Sequence, residues 1–191
     1  MKNSVETPDW SSLPAPIDDG ATRQLKGVRI PSITLPATDG SVVDLLALAG
    51  TVVVYAYPRT GFPGIENPEG WDLIPGARGC TPQSCAFRDH FLELKSLGVN
   101  HLFGLSTQDT AYQTEVAKRL HLPFTLLSDE NLKLTRALRL PTFETHGLTL
   151  LKRLTLVINN GLIEHVFYPV FPPDRNADEV ASWFTNRIRK R

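Results

Sequence analysis

The sequence predicts one α/β domain, a layered sandwich in which a central mixed β-sheet is flanked by helices and preceded by an N-terminal hairpin. Segments with the pattern of strands alternate with amphipathic segments, and a clear hairpin and a last helix follow them. The chain has 191 residues, 41% of them hydrophobic, which is enough for a full core without a partner. No internal repeat breaks this pattern.

The N-terminal part of the chain divides into an arm and the start of the domain. Residues 1–26 are predicted to form an extended arm, because prolines and the turn Asp18-Asp19-Gly20 interrupt them. This arm is either loose or lies over the domain, which fills residues 27–191. Short apolar pieces from Ile30 to Val43, separated by a proline and an Asp-Gly turn, predict the hairpin.

The middle of the chain predicts alternating strands and helices. The continuous β-branched and aromatic run 51–57 is typical of a central strand that is buried on both faces. A loop rich in proline and glycine leads to a helix predicted over residues 80–98. Further along, the pattern predicts a strand, a helix, a short strand and a helix that begins near Asp129, at 101–106, 110–120, 124–127 and 129–138.

The last third predicts a hairpin and a helix. Residues 151–158 and 162–167 read as two strands joined by Asn159-Asn160-Gly161, a strong turn signal. An amphipathic helix over 177–189 then directs Val180, Trp183, Phe184 and Ile188 to the core.

The chain has two cysteines, Cys80 and Cys85, at the start of the helix predicted after Gly79. A disulfide between sulfurs so close in sequence adds little global stability, so reversible thiol chemistry is the better interpretation. Cys80 is the predicted nucleophile, because the unpaired N–H groups of a helix N-terminus favour a thiolate and Arg78 can add positive charge.

Cys85 allows other interpretations. On an intact helix the Cα atoms of residues five apart are about 8 to 9 Å from each other, so a disulfide requires the first turns to unwind. Cys85 is alternatively a small buried residue of the core. A structural zinc site is disfavoured, because two cysteines supply half of the usual ligands and no histidine lies within four residues of either.

Charge and hydropathy narrow the possible partners and the location. Twenty basic and twenty acidic residues balance, so no field favours nucleic acid or an anionic membrane. The first ten residues lack the apolar run of a signal peptide, and no stretch has the length of a membrane span. We therefore expect a cytoplasmic protein, in which a disulfide is transient and catalytic. The scattered histidines have no metal-ligand spacing, so no metal is expected.

Five segments in register resemble the peroxiredoxins of the bacterioferritin-comigratory, or Q-type, subfamily, over about residues 25–190. The segments are Val52-Val53-Val54-Tyr55-Ala56-Tyr57-Pro58, Gly79-Cys80-Thr81 with Cys85-Ala86-Phe87-Arg88-Asp89, Gly104-Leu105-Ser106-Thr107, Leu122-Pro123-Phe124-Thr125-Leu126-Leu127-Ser128-Asp129 and Arg153-Leu154-Thr155-Leu156-Val157-Ile158-Asn159-Asn160-Gly161.

This resemblance implies a thioredoxin-like fold and a thiol-dependent peroxidase with an antioxidant role. Cys80 matches the cysteine that attacks peroxide, and Cys85 matches the resolving cysteine that forms an intramolecular disulfide with it. The substrates implied are hydrogen peroxide or organic hydroperoxides. A thioredoxin- or glutaredoxin-like protein is the implied reductant, no cofactor is needed, and a monomer or weak dimer is implied.

The resemblance also assigns residues around the cysteine. Arg153 matches the arginine that binds peroxide, although an arginine beside an apolar strand is commonly an exposed strand end. Gln83 occupies the position that supports this arginine, Pro58 matches the proline that closes the strand before the active-site loop, and Gly79 borders the pocket.

The chain departs from the family pattern before the cysteine. Where the pattern has a proline seven and a threonine three positions before it, this chain has Leu73 and Ala77. Cys80 follows Pro58 by 22 positions, so about 15 residues are inserted in a loop at about 59–78. We expect this insertion to be a lid or a partner-docking surface, the alternative being a solvated excursion without a role. Thr60 is the candidate for the missing hydroxyl.

Two rival functions use the same residues. A thioredoxin-fold copper metallochaperone binds the metal with two cysteines and a later histidine, for which His146 is the candidate. The five-residue spacing of the cysteines differs from the spacing in such proteins. A general disulfide reductase is expected to show a Cys-x-x-Cys pair, and this sequence has none.

Overall fold

The computed structural model describes residues 8–189 of the chain. Within them the strands are β1 (Thr34–Pro36), β2 (Val42–Asp44), β3 (Thr51–Ala56), β4 (Val99–Ser106), β5 (Leu126–Ser128), β6 (Thr142–Thr145), β7 (Leu148–Leu151), β8 (Leu154–Asn159) and β9 (Leu162–Phe167). The α-helices are α1 (Cys80–Asp89), α2 (Phe91–Ser96), α3 (Thr110–Arg119), α4 (Lys133–Leu138) and α5 (Asn176–Arg189).

The central sheet has five strands in the order β5-β4-β3-β8-β9. β3, β4 and β5 are parallel, and β8 is antiparallel to both β3 and β9. The sheet is therefore mixed, as predicted. The N-terminal hairpin is also confirmed, since β1 and β2 pair as an antiparallel hairpin outside this sheet.

Each face of the sheet packs against its own core, because successive side chains of a strand point to opposite faces. From β3, Val52 and Val54 join a core with the N-terminal hairpin and α4. Val53 and Tyr55 join the other core, with α1, α2, α3 and α5. Tyr55 stacks on Phe87 of α1, with ring centroids 4.3 Å apart. This contact fixes the cysteine helix on the sheet.

The single helix predicted over residues 80–98 is wrong, because the structure breaks it at His90. His90 has φ −92° and ψ 4°, a conformation outside the α-helix, so α1 ends before it and α2 begins after it. Its ring Nδ1 lies 2.9 Å from the carbonyl oxygen of Ala86, one turn earlier. The ring nitrogen is thus within hydrogen-bond distance of a carbonyl group in the last turn of α1, at the residue where the helix ends.

The single strand predicted over residues 151–158 is also wrong. β7 ends at Leu151 and β8 begins at Leu154, so Arg153 lies in a connection and not in a strand. β7 pairs with β6, which the sequence analysis missed, through a turn at His146 and Gly147 with positive φ at both positions. Because histidine is an unusual residue for such a turn, the sequence pattern did not predict this hairpin.

Two helix details differ from the prediction. The helix expected to begin near Asp129 begins at Lys133, and the Asp129 carboxylate accepts hydrogen bonds from the N–H groups of Leu134 (3.1 Å) and Thr135 (2.8 Å). Asp129 thus caps α4 from upstream. In α5, Ile188 was predicted in the core and is 55% exposed, because it lies in the last turn of the helix.

The described part of the predicted arm, residues 8–26, contacts the domain. The Asp19 carboxylate accepts hydrogen bonds from Lys152 Nζ (2.7 Å) and the Tyr168 hydroxyl (2.8 Å), which lower the pKa of Asp19 to about 2. The Trp10 ring meets Phe171 edge to face. Residues 1–7 of the predicted arm, and residues 190–191 of the predicted domain, lie outside the described residues.

Candidate active site

The site begins at the N-terminus of α1, where Gly79 is the residue before the helix and Cys80 is its first residue. Gly79 has φ 106°, a left-handed conformation that favours glycine. A Cβ atom there would lie 2.7 Å from the Trp10 ring and 2.6 Å from the Pro173 ring. Glycine therefore lets the arm and the turn before α5 pack against the backbone beside Cys80, whose side chain is buried.

Arg153 supplies the positive charge beside Cys80. Its Nη2 atom lies 3.3 Å from Cys80 Sγ, and the side chain is 3% exposed. The same nitrogen lies 3.2 to 3.3 Å from the carbonyl oxygens of Gly76, Ala77 and Arg78. Within residues 8–189 no carboxylate pairs with this guanidinium. A buried cation that is not neutralised stabilises negative charge on the neighbouring sulfur.

Gln83 holds the guanidinium in place. Arg153 Nη1 donates to Gln83 Oε1, and Gln83 Nε2 donates to Asn176 Oδ1 at 2.9 Å. Asn176 Oδ1 also accepts a hydrogen bond from Thr155 Oγ1 at 2.7 Å. These four side chains are buried and join α1, α5 and β8. The sequence analysis missed Thr155 and Asn176, although a threonine two positions after Arg153 faces the same side as the arginine.

Arg78 does not provide the charge that the sequence analysis expected of it. Its guanidinium pairs with the Asp72 carboxylate at the protein surface. Such an exposed pair contributes little and screens the charge of Arg78. The cation next to Cys80 Sγ is Arg153.

A cavity of about 300 Å³ opens over Cys80. Its lining residues are Pro8, Arg59, Thr60, Gly61, Ile65, Asn67, Trp71, Arg78, Gly79, Cys80, Thr81 and Pro82. Of the residues predicted around the pocket, Thr60 and Gly79 line this cavity. Gln83 lies behind it with Arg153, and Pro58 lies elsewhere, with its carbonyl oxygen accepting a hydrogen bond from Ser106 Oγ at 3.0 Å.

Thr60 brings a buried hydroxyl to the cavity, and Ala77 does not. Thr60 Oγ1 lies 3.2 Å from Gln108 Oε1, and its backbone N–H donates to the same oxygen at 2.9 Å. Gln108 was not predicted from the sequence. Ala77 packs its methyl group against Trp71 and Leu150, and its carbonyl oxygen lies 3.7 Å from Cys80 Sγ.

The inserted loop, residues 59–78, forms most of the cavity wall. Trp71 is 3% exposed and anchors the second half of the loop against β6 and β7. In the first half, Arg119 Nη2 donates to the carbonyl oxygen of Gly61 at 3.2 Å, and Phe62 meets the Tyr112 ring edge to face. These contacts tie the loop to α3 and to the β6–β7 hairpin.

Cys85 lies deeper in α1, and both cysteines are free thiols. Cys85 is 7% exposed and packs in the same core as Tyr55 and Phe87. This position agrees with the alternative in which Cys85 is a small buried residue of the core. Burial raises the pKa of the Cys85 thiol. With α1 intact, the spacing of five residues keeps the two sulfurs too far apart to bond. Opening of the first turns of α1 is therefore required before Cys85 can react with Cys80.

A buried cysteine at the N-terminus of a helix that packs on a mixed sheet, with the buried guanidinium of Arg153 beside its sulfur, is typical of a thiol-redox protein of the thioredoxin-like class. The family model described as Redoxin matches residues 25–181. Peroxiredoxin Q, chloroplastic, from Gentiana triflora is 35% identical over 186 residues, which cover 94% of this chain and 76% of the relative. The chain therefore belongs to the Q-type peroxiredoxins of the redoxin family, as the resemblance predicted.

A second relative agrees with this family, and two solved structures share the fold. Putative peroxiredoxin Q, chloroplastic, from Oryza sativa subsp. indica is 36% identical over 156 residues, which cover 81% of this chain and 64% of the relative's length. The crystal structure of peroxidoxin BcpB from Mycobacterium tuberculosis matches with a TM-score of 0.67 at 24% identity, over 84% of this chain and 96% of that one. Peroxiredoxin Q from Xanthomonas campestris matches with a TM-score of 0.64 at 19% identity, over 91% and 97%. These two structures show the thioredoxin-like fold.

The copper alternative has no support in these findings. His146 lies at the turn between β6 and β7, and its Nδ1 lies 2.8 Å from Thr145 Oγ1. Nowhere in residues 8–189 do three His, Cys, Asp or Glu side chains gather in a metal-binding arrangement. Over the same residues, no helix combines the length and apolar character needed to cross a membrane.

Proposed function

We propose that the protein is a thiol-dependent peroxidase that reduces hydrogen peroxide or organic hydroperoxides at Cys80. The observation that carries the proposal is the 3.3 Å contact between Arg153 Nη2 and Cys80 Sγ at the N-terminus of α1, under a cavity open to solvent. Membership of the Q-type peroxiredoxins supports the same activity.

In the first step the Cys80 thiolate attacks the terminal oxygen of the hydroperoxide. An S–O bond forms and the O–O bond breaks, so that sulfur is oxidised to sulfenic acid and the peroxide is reduced to water or an alcohol. The leaving oxygen carries the developing negative charge and takes a proton from solvent. Arg153 and the first N–H groups of α1 stabilise this charge, and Gln83 orients Arg153.

In the second step Cys85 attacks the sulfenic acid of Cys80. The disulfide forms and the hydroxyl leaves as water, after the first turns of α1 open. The raised pKa of Cys85 keeps it a neutral thiol while it is buried, so opening also prepares it to ionise. A thioredoxin- or glutaredoxin-like dithiol then exchanges with the disulfide, which restores both thiols and oxidises the donor.

The test is peroxide consumption coupled to NADPH through thioredoxin and thioredoxin reductase. We expect turnover by the natural chain and none by Cys80→Ser, because serine cannot form a sulfenic acid. Cys85→Ser is the matched control, since it retains Cys80 and is expected to complete one oxidation. Full turnover by Cys80→Ser would sink the proposal.

Two features that the resemblance or the sequence implied remain predictions. The first is the oligomeric state, a monomer or weak dimer, which light scattering of the purified chain measures. The cytoplasmic location is measured by fractionation of cells that express the protein at its natural level. The plant relatives are named as chloroplastic, which applies to those proteins.

A further inference from the structure

The charged side chains that line the Cys80 cavity are both cationic. They are Arg59 and Arg78, and no carboxylate lines the cavity within the described part of the chain. The N-terminal end of α1, which adds partial positive charge, opens into the same space. A cavity of this sign attracts anions and disfavours cations.

Arg59 differs from Arg78 because no acidic residue among the described residues is its partner. Arg78 is paired with Asp72, whereas none of the ion pairs in residues 8–189 includes Arg59. The guanidinium carbon of Arg59 stands 5.8 Å from the centre of the Trp71 ring, a cation–π contact. Because Trp71 is anchored in an apolar cluster with Ala77 and Leu150, it presents Arg59 at a defined place. No hydrogen bond within residues 8–189 uses the donors of the Arg59 side chain.

Arg59 also lines a neighbouring cavity of about 420 Å³, and Asp109 and Glu130 are among the other residues that line it. Asp109 already accepts a hydrogen bond from the N–H of Tyr112 as the cap of α3, and among the ion pairs of the described residues neither carboxylate is paired with Arg59. The cation is therefore available to a ligand from the Cys80 side.

The rest of the cavity wall combines apolar side chains with the polar side chains of Thr60, Asn67 and Thr81, and the cavity is larger than hydrogen peroxide requires. Pro8, Ile65, Trp71 and Pro82 line it, and its volume of about 300 Å³ is roughly ten times the share of one water molecule in the liquid. A substrate that fills this space has a body in addition to the peroxide group, and an apolar chain in it can pack against the four apolar residues.

We propose that Arg59 is a specificity-determining residue that binds the carboxylate of an organic hydroperoxide while its peroxide group reacts at Cys80. The proposal rests on the peroxidase function above and adds the substrate class, an anionic hydroperoxide with an apolar chain between the two groups. The inserted loop supplies the cation and, through Ile65 and Trp71, part of the apolar surface, so the insertion acts in substrate selection. The chemical step is unchanged: sulfur gains oxygen, the O–O bond breaks, and the product is a hydroxy acid.

The experiment measures the second-order rate constant of Cys80 oxidation in single turnover without any reductant. The probes are a series of ω-hydroperoxy carboxylates of different chain length, each paired with its neutral methyl ester. At the best chain length we expect the acid to react about 3- to 10-fold faster than its ester at low salt. Arg59→Gln is expected to bring this ratio close to one, and Arg59→Lys to restore part of it. High salt is expected to lower the ratio in the natural chain.

Arg136→Gln is the matched control, because it removes one exposed charge on α4, outside the cavity, and is expected to leave the ratio unchanged. An acid-to-ester ratio near one in the natural chain would overturn the proposal, as would an equal loss of both rates in Arg59→Gln. If the natural chain oxidises Cys80 with hydrogen peroxide but shows no preference, the substrate proposal alone fails. If no peroxide oxidises Cys80, the peroxidase function itself fails.

Discussion

Replacing Arg153 by methionine is expected to slow Cys80 oxidation strongly while the fold survives. Methionine approximates the length of the arginine stem but carries no charge and no donor. In the folded protein, Arg153 Nη2 lies 3.3 Å from Cys80 Sγ. Among the described residues, no carboxylate forms an ion pair with this guanidinium. Its removal therefore takes the nearest positive charge away from the atoms on which negative charge develops.

The magnitude follows from this distance. Two unit charges 3.3 Å apart interact by about 5 kcal/mol at an effective dielectric constant of 20, which is an upper limit because Arg153 also stabilises the resting thiolate. A hydrogen bond from a charged donor contributes about 1.5 to 3 kcal/mol. We therefore expect the rate constant with hydrogen peroxide to fall by about 10- to 150-fold. Loss of donors to three carbonyl groups is expected to lower the free energy of unfolding by about 2 to 4 kcal/mol.

The assay is stopped-flow oxidation by hydrogen peroxide in the Cys85→Ser background, so that only the first step is observed. Circular dichroism checks that the variant is folded at the assay temperature. Arg153→Lys is the matched variant, which keeps the charge but cannot reach Gln83 and Cys80 together, and we expect an intermediate rate. A folded Arg153→Met protein that reacts at the natural rate would refute the role given to Arg153.

Three further changes have defined outcomes. Disulfide formation after Cys80 oxidation should accelerate with rising pH and continue to accelerate above about pH 8.5, the ordinary pKa of a cysteine, because burial raises the pKa of Cys85; quenched thiol counts measure the rate, and a flat profile contradicts the prediction. Gly79→Ala should lower the free energy of unfolding by about 1 to 3 kcal/mol, since its φ is 106° and the new methyl group meets Trp10; an unchanged urea midpoint is the contrary result. Phe87→Ala should cost about 3 to 5 kcal/mol by removing the buried ring that stacks on Tyr55, and a thermal midpoint equal to that of the natural chain would be inconsistent with this packing.

Local patterns in the sequence predicted much of the fold. The run at 51–57 predicted the central strand because it is rich in β-branched and aromatic residues, and the structure buries β3 on both faces. Asn160-Gly161 predicted the β8–β9 hairpin because both residues adopt positive φ there. Gly79 and Pro82 placed Cys80 at the start of a helix, where the structure has it. In each case the information lies within a few residues of the chain.

Other features depend on contacts that a local pattern does not contain. Gln83 lies 70 positions before Arg153 and 93 before Asn176, so their hydrogen bonds arise only once α1, β8 and α5 pack together. The break at His90 depends on a ring nitrogen that bonds back to the previous turn, which hydrophobic periodicity does not register. The inserted loop has no periodicity, and its position became clear from the burial of Trp71.

The most direct test of the central claim is the intact mass and free-thiol count of the reduced protein after one equivalent of hydrogen peroxide, with Cys85→Ser in parallel. The account predicts that the natural chain loses both thiols and the mass of two hydrogen atoms. It predicts that Cys85→Ser gains one oxygen atom as a sulfenic acid that a dimedone probe traps. Unchanged thiols in the natural chain, or oxidation that persists in Cys80→Ser, would contradict a peroxidase that acts through Cys80 and is resolved by Cys85.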